Sequence, residues 1–589
     1  MRPYLNAAIK LEPFLLLFSP NLRCKASGFS NYSREPFKFR SFRFLAGTVI
    51  PRRHILQRCR AMGTSSPEAQ VHVHIKEKIE LTEIEQKIFD RLLNTLRHFN
   101  LQTELRVAGG WVRDKLLGKE CYDIDIAIDN MLGSEFVDKV REYLLSIGEQ
   151  AQGLGIIARN PDQSKHLETA RMRLFDLWID FVNLRCEDYS DNSRIPTMKF
   201  GTAEEDAYRR DLTINSLFYN INTSLVEDLT GRGIEDLKSG KIVTPLSPKA
   251  TFLDDPLRVV RAIRFGARFG FILDEELKTA AAYDEVKDAL STKVSKERIG
   301  TEIDLMISGN QPVKAMTYIA DLTLFSVVFG LPPKVEPPVL EGSSKLCVAY
   351  LDAAWDLIQL IGSSSFTDEQ RRLALYAALF LPFRSVMYME KGKKSPVVNF
   401  IFKDSLKRKA SDSETVMKIH KSSEKFLNLI PLLISQEDSQ PAEADWAPDL
   451  IDAPFSSKLR VSAGILLREI KDFWRVALLI ASMIYPTNAD STQDLLDKKF
   501  ELDKRRELFK TVEKAITELG LENIWDVKPL VNGKDIMSVL QLKSGGPMVR
   551  EWQQKLLAWQ LAHPSGTAEE CLDWMKETHS NKRAKLVTE

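Results

Sequence analysis

Charge imbalance is almost absent from this chain. Over 589 residues, 82 Lys and Arg stand against 81 Asp and Glu, a formal net charge of +1. No global basic field announces a nucleic-acid partner, so any such surface must be local. Cysteine is scarce. The six residues, Cys24, Cys59, Cys121, Cys186, Cys347 and Cys571, form no CxxC pair and keep no histidine cluster beside them. This argues for a reducing compartment and against structural zinc. No apolar run reaches the roughly 18 residues of a membrane span, so no membrane partner is expected. Acids are nearly missing from one region only. Residues 1–61 hold two, Glu12 and Glu35, against twelve Lys or Arg, in a segment dotted with Ser and Phe. That is the composition of an organellar transit peptide; the alternative is a basic arm that binds RNA. Met62 follows at once, acids return, and Met62 is expected to be a second start. The long form is then expected in the mitochondrion and/or chloroplast, the short form in cytoplasm and nucleus. The C-terminal Lys582-Arg583-Ala584-Lys585 reads as a solvated tail.

Against this background one segment stands out: Ala108-Gly109-Gly110-Trp111-Val112-Arg113-Asp114, followed by Asp123-Ile124-Asp125. Glycines at a turn let backbone N–H groups approach phosphates. In a strand, residues i and i+2 share a face roughly 6.6 Å apart, so Asp123 and Asp125 can share a metal site. Carboxylate oxygens suit Mg²⁺. Arg113, one turn into the following helix, is placed to meet phosphate oxygens. A DxD alone also occurs in sugar transferases and by chance. Asp114 reads as a structural carboxylate. Asp180, on the strand Ile179-Asp180-Phe181-Val182, reads equally as a third carboxylate or as half of a salt bridge.

The length calls for several domains. Ile84, Ile88, Leu92, Leu96 and Phe99 recur at helical spacing over 82–99, with Thr82 and Glu85 as a capping box. Strands are expected at 104–108, 123–128 and 179–184, helices at 109–117 (ended by Gly118) and 134–147, and a hairpin at 218–221 and 225–228. This predicts an α/β head with a small mixed sheet. From about residue 250 the 3.6-residue period persists: 257–268, 275–289, 295–308, 312–320, 347–362 and 368–381. Breaks near 331–344 and 436–449 read as linkers. The fold class is an α/β head with a small mixed sheet followed by a long all-helical remainder.

Two further clusters carry charge in patterns. Asp206-Ala207-Tyr208-Arg209-Arg210-Asp211-Leu212-Thr213-Ile214-Asn215 sets two arginines beside acids and an amide, a combination suited to ribose and triphosphate; alone it is a charged helix start. Asp254-Asp255-Pro256-Leu257-Arg258 opens a helix with acids and Pro where its N-terminus favours them. Arg258, Arg261 and Arg264 then recur on one face, with Leu257, Val260 and Ile263 on another. An Arg and a carboxylate on adjacent turns can offer a base edge donors and acceptors; alone the pattern is an exposed salt-bridged helix.

Together these clusters resemble the class II polymerase-β-type nucleotidyltransferases, specifically the eukaryotic-type CCA-adding tRNA nucleotidyltransferases. The motifs appear in order: 109–114 with 123–125; 209–215; Gly233-Ile234-Glu235-Asp236-Leu237; 254–258, where Asp254 replaces the usual Glu; and Glu297-Arg298 with Glu302. The resemblance is firm over roughly 80–310. It implies that Asp123 and Asp125 hold Mg²⁺ and are catalytic. It implies that Gly109, Gly110 and Arg113 meet the triphosphate and that Arg209 and Arg210 bind the incoming nucleotide. Asp255 and Arg258 would read CTP and ATP edges in place of a nucleic-acid template, supported by Arg261 and Arg264. Gly231–Leu237 would be a hinge, and 158–175, with His166 as a plain loop residue, the mobile loop of the C-to-A switch. The partners implied are tRNA, CTP and ATP. The implied domains are a transit peptide (1–61), head (62–230), neck (231–310), body (311–500) and tRNA-binding tail (501–589). In the tail, helix ends at Gly533-Lys534-Asp535 and Lys543–Pro547 are expected to meet phosphates, near Arg550, Lys555, Trp552 and Trp559; a plain Trp-packed core is the alternative. The run Lys407-Arg408-Lys409 reads as exposed. No His-Asp dipeptide occurs, so the phosphohydrolase domain of some bacterial relatives is not expected. A bacterial-type poly(A) polymerase shares the head motifs and is the nearest competing reading, mildly disfavoured by the near-neutral charge after residue 62. A non-catalytic tRNA-binding protein is the alternative of another class.

Overall fold

The computed structural model describes residues 72–150, 153–157, 169–188, 197–434, 454–486, 492–497 and 500–588. The expected transit segment, Met62, loop residues 158–168 with His166, and the linker near 436–449 lie outside them.

The head begins with α1 (Glu83–His98), capped as expected: Thr82 N–H donates to Glu85 Oε2 at 2.7 Å while Thr82 Oγ1 accepts from Glu85 N–H at 3.3 Å. Ile88, Leu92 and Leu96 are buried, whereas Ile84 stays exposed. There follow β1 (Leu105–Ala108), α2 (Gly110–Leu116), β2 (Ile124–Ile128), α3 (Gly133–Ser146), β3 (Leu154–Ile157), β4 (Thr169–Leu174), β5 (Leu177–Asn183), β6 (Arg185–Asp188), β7 (Thr197–Phe200), α4 (Ala203–Tyr208), β8 (Phe218–Asn220) and β9 (Leu225–Glu227). Seven strands form one mixed sheet in the order β3-β4-β5-β2-β1-β8-β9. β2 runs parallel to β5, and the other pairs are antiparallel. β6 and β7 pair separately. Residues 169–174, expected within a loop, are strand β4.

Alternation sorts the sheet's faces. Met172, Leu174, Ile179 and Phe181 point inward. They pack under α3, where Phe136 meets Phe181 at a ring separation of 5.7 Å. Asp125, Arg171, Arg173, Trp178 and Asp180 point the other way, toward the site described below.

The neck follows: α5 (Gly233–Lys238), α6 (Pro248–Asp254), α7 (Leu257–Phe269), α8 (Glu275–Ala282), α9 (Asp284–Lys293) and α10 (Lys296–Ile307). The helix expected over 275–289 is two, because Tyr283 takes an extended conformation (φ −64, ψ 137) between α8 and α9. Leu257, Val260 and Ile263 are buried as expected, but α7 is not an exposed helix: Arg258 is buried too.

Asp304 on α10 fastens neck to body. It accepts from Arg372 Nη1 at 2.8 Å, Arg408 Nη2 at 2.7 Å and Tyr376 Oη at 3.1 Å. Arg408 is therefore a structural ion-pair partner rather than part of an exposed basic run. The body core centres on the helix Trp474–Ile484, whose residues Val476–Ala481 are all fully buried. The helix Leu502–Glu518 joins this core through Phe509, Val512 and Ile516. The tail's separate core begins later, at Val531, and includes Ile536, Trp552, Trp559, Cys571 and Met575. Trp552 and Trp559 are thus packing residues. Among the described residues no helix is long and apolar enough to cross a membrane.

Candidate active site

β1 leads into the glycine turn. Gly109 has φ +71 and ψ −115, a conformation that side chains disfavour. A Cβ there would lie 2.7 Å from Arg210 Nη1 and 3.2 Å from Asn215 O. The space left by the missing side chain is the space Arg210 uses. Gly110 is less demanding: a Cβ would meet only Arg113 Nη2, at 3.6 Å.

The two carboxylates come next. Asp123 precedes β2 and Asp125 lies in it, directly paired with Asp180 across the parallel β2–β5 ladder. Burial, then the nearby Asp123 and Asp180 charges, push the Asp125 carboxyl from 3.8 up to about 6, against the pull of Arg210 and Arg171. Asp180 is raised by burial, while Arg171 draws it down. Arg171 Nε lies 2.8 Å from Asp180 Oδ1; the contact is an ion pair without hydrogen-bond alignment. Among the described residues, no three His, Cys, Asp or Glu side chains converge on one metal-binding point. Asp123 and Asp125 form a pair of hard oxygen donors whose like charge Arg210 and Arg171 offset only in part, and a divalent cation fits that donor set.

Arg113, expected at phosphate oxygens, is instead buried, with 3 % of its surface exposed. Its guanidinium donates to Asp114 Oδ1 at 2.9 Å and to Asn215 Oδ1, and lies over Phe265 and Phe269 of α7. It ties the glycine-turn helix to the neck. Asp114 is structural, as expected: it also lies 3.6 Å from Arg268.

Arg209 and Arg210 share one buried acceptor, Asp206. Its Oδ1 takes Arg209 Nη2 at 2.6 Å and its Oδ2 takes Arg210 Nη2 at 2.8 Å. Burial works to raise the Asp206 carboxyl, yet Arg210 and Arg209 hold it below its ordinary value. Arg210 also donates to Asn215 O at 3.3 Å and lies over the Phe218 ring. It therefore stands between the glycine turn and Asp125.

The arginines of α7 reach back to the head. Arg258 Nη2 donates to Arg209 O at 2.6 Å and lies 3.6 Å from Glu187 Oε2. Arg261 Nε donates to Asp211 Oδ2 at 2.8 Å, and Arg264 Nε donates to Glu302. Asp255, expected to pair with Arg258 along the helix, lies 3.6 Å from Arg298 Nη2 and caps Leu257 N–H at 3.2 Å. The structure thus brings Asp255, Arg258 and Arg209 to one boundary between head and neck.

Sequence reasoning assigned no part to Glu187, and it set Asp206, Asp211 and Asn215 with the arginines at ribose and triphosphate, whereas the structure makes them the acceptors that hold Arg209, Arg210, Arg261 and Arg113. Glu187 accepts from Arg209 Nη1 at 2.8 Å. Its strand neighbour Arg185 is lowered to about 10 by burial and by Arg209. The alternating charges of Arg185-Cys186-Glu187-Asp188, just after β5, were the available signal.

A glycine turn, two carboxylates in and just before an adjoining strand, and an arginine cluster, carried by a mixed sheet, define a nucleotidyltransferase head; the continuation is mostly helical rather than all-helical as expected, because Val335–Glu336, Met387–Glu390 and Lys393–Pro396 pair into a small three-stranded sheet. Residues 105–243 match the Poly A polymerase head domain. The chain is 35 % identical over 517 residues to a tRNA nucleotidyltransferase of Schizosaccharomyces pombe, covering 85 % of this chain and 99 % of that one. It is 34 % identical over 543 residues to the mitochondrial CCA tRNA nucleotidyltransferase of Saccharomyces cerevisiae, covering 85 % and 94 %. The chain belongs to the CCA tRNA nucleotidyltransferase family. Its fold is that of the Bacillus stearothermophilus CCA-adding enzyme solved with CTP, at a TM-score of 0.54 and 18 % identity over 86 % of this chain and all of the other. The Thermotoga maritima CCA-adding enzyme solved with tRNA matches at a TM-score of 0.51 and 18 % identity, over 85 % and 96 %.

Proposed function

We propose that this protein adds C, C and A, from CTP and ATP, to the 3′ end of tRNA without a nucleic-acid template. The observation that carries the reading is the carboxylate pair Asp123 and Asp125, whose like charge is only partly offset, set near Arg210 and the Gly109 turn. A nucleoside triphosphate with its cation neutralises both halves of that arrangement. Its family membership and the names of its relatives support tRNA as acceptor.

In the proposed reaction these residues take the following roles. Asp123 and Asp125 hold Mg²⁺, which when bound activates the attacking 3′-hydroxyl and offsets charge on the α-phosphate. Gly109 and Gly110 let the triphosphate approach the backbone. Arg210, oriented by Asp206, meets the phosphates, and Arg209, held by Asp206 and Glu187, meets the nucleotide. Arg113 shapes the turn from behind. Asp255 and Arg258 read the base edge, with Arg261 and Arg264 fixing the helix that carries them. The tail contributes tRNA phosphate contacts through its helix ends.

Residues 1–61 direct the long form to the mitochondrion and/or chloroplast, and a form begun at Met62 serves cytoplasm and nucleus. The mitochondrial name of the yeast relative supports the first part. Fusing 1–61 to a reporter tests targeting; persistence of the short protein after Met62→Ala contradicts the second start.

Asp123→Ala and Asp125→Ala test the catalytic assignment. Each is expected to abolish nucleotide incorporation while leaving tRNA binding within a few fold. Unchanged incorporation contradicts it.

A further inference from the structure

The outward face of the sheet does not end at the carboxylates. Strand register carries it sideways: Asp125 pairs with Asp180, and Asp180 with Arg171. One row further along, Trp178 pairs with Arg173. All these residues alternate with buried apolar ones, so all share the face that α3 does not cover. Trp178 is 42 % exposed, unusual for so large a ring. It is nonetheless held in place. The Arg171 guanidinium lies over it at 5.4 Å, and its far edge rests on Gly153, where a Cβ would come within 3.0 Å of the ring. Arg173 lies 3.2 Å from Asp176 in an exposed contact, and such a pair is readily exchanged for another anion.

We propose that Trp178, with Arg171 and Arg173, is the platform on which the single-stranded 3′ end of the RNA acceptor lies as it enters the carboxylate site. A fixed aromatic face flanked by cations is what an unpaired nucleotide requires: the ring stacks on a base of any identity, and the arginines meet the backbone phosphates. Tolerance of base identity matters here, because the acceptor ends in the discriminator base at the first addition and in C at the next two. The platform's place on the same sheet face as Asp125 points the strand's terminal hydroxyl at the carboxylates. An acidic or apolar protein partner would not need a face continuous with the catalytic row. The inference rests on the proposed CCA addition, and its test separates the two.

Trp178→Ala and Trp178→Phe would be compared with the full-length wild type on tRNA ending at the discriminator base. The measurements are KM for tRNA, KM for CTP, kcat, and photocrosslinking of a tRNA carrying a 3′-terminal 4-thiouridine. Trp178→Ala is expected to raise KM for tRNA about 10-fold, the effect of losing one base stack, and to leave KM for CTP unchanged. Trp178→Phe should restore KM for tRNA to within about threefold, by keeping the ring. The crosslinked peptide should contain residue 178 in the wild type. A rise in KM for CTP alone, an unchanged KM for tRNA in Trp178→Ala, or a crosslink confined to another segment overturns the platform while wild-type CCA addition stands. Equal losses in both variants mark Trp178 as a packing residue and overturn it too. No CCA addition by the wild type overturns the underlying function first.

Discussion

Arg261 on α7 donates its Nε to Oδ2 of Asp211 at 2.8 Å, a bond between a neck helix and the segment that carries the head's two arginines. Burial works to raise the Asp211 carboxyl. Arg261, then Asn215 and Arg258, overcome it and bring the group from 3.8 down to about 2. Asn215 in turn accepts from Arg113, so one polar chain joins the glycine-turn helix to α7.

Removing one partner of a buried pair leaves a stranded charge. Asp211→Asn is therefore expected to cost about 3 kcal/mol of stability at pH 7. Because the folded-state carboxyl is depressed, its contribution is present above about pH 4 and is lost as pH falls through about 2. Denaturant midpoints at pH 7 and pH 3 should show the gap between wild type and variant narrowing. A gap that stays constant contradicts the pairing.

The two glycines should behave differently. Gly109→Ala combines a positive φ with a 2.7 Å approach to Arg210. Strain of about 1–3 kcal/mol is expected, with displacement of Arg210 and a fall in kcat of about 100-fold. Gly110→Ala should stay within a few fold. Steady-state kinetics of the pair decide it; equal effects would mean the turn is read incorrectly.

Selectivity is expected to reside at the head–neck boundary. Asp255→Asn and Arg258→Gln should relax the choice between CTP and ATP. A lost recognition contact is worth about 1–3 kcal/mol, or roughly 10- to 100-fold in preference. Competition assays with both nucleotides measure this directly, and an unchanged preference removes these residues from base reading.

His420 offers a separate pH test in the body. It is buried, donates its Nε2–H to Ala377 O at 2.8 Å, and burial lowers it from 6.5 to about 4. The depressed value means stability is full above pH 6.5 and is lost as pH falls toward 4, since the unfolded chain takes up the proton first. The loss should reach about 3 kcal/mol. His420→Gln keeps a donor and does not titrate, so its stability should fall less over the same range. Parallel curves for the two proteins would contradict this.

Local signals in the sequence proved sufficient wherever structure is local. Thr82 and Glu85 cap α1 three residues apart, and the Gly109 turn and the strand carrying Asp125 fall where the spacing placed them. Signals failed where the partner lies far along the chain. Arg113 looked free for phosphate because Asn215 and Phe265, which occupy it, are distant in sequence. Glu187 sits on a four-residue strand too short for periodicity to reveal. In β4 the alternation of Ala170, Met172 and Leu174 with Arg171 and Arg173 is itself a strand pattern, and the segment read as loop only through the resemblance of 158–175 to a mobile loop. The split at Tyr283 escaped because apolar spacing runs on across it without Gly or Pro. Trp552 and Trp559 could have packed or bound RNA, and only burial distinguishes the two.

The most direct test of the central claim is the nucleotide-by-nucleotide product ladder on tRNA ending at the discriminator base, with CTP and ATP both present. The account predicts stepwise addition of C, C and A, with extension stopping there. Runs of A without C would instead identify a poly(A) polymerase.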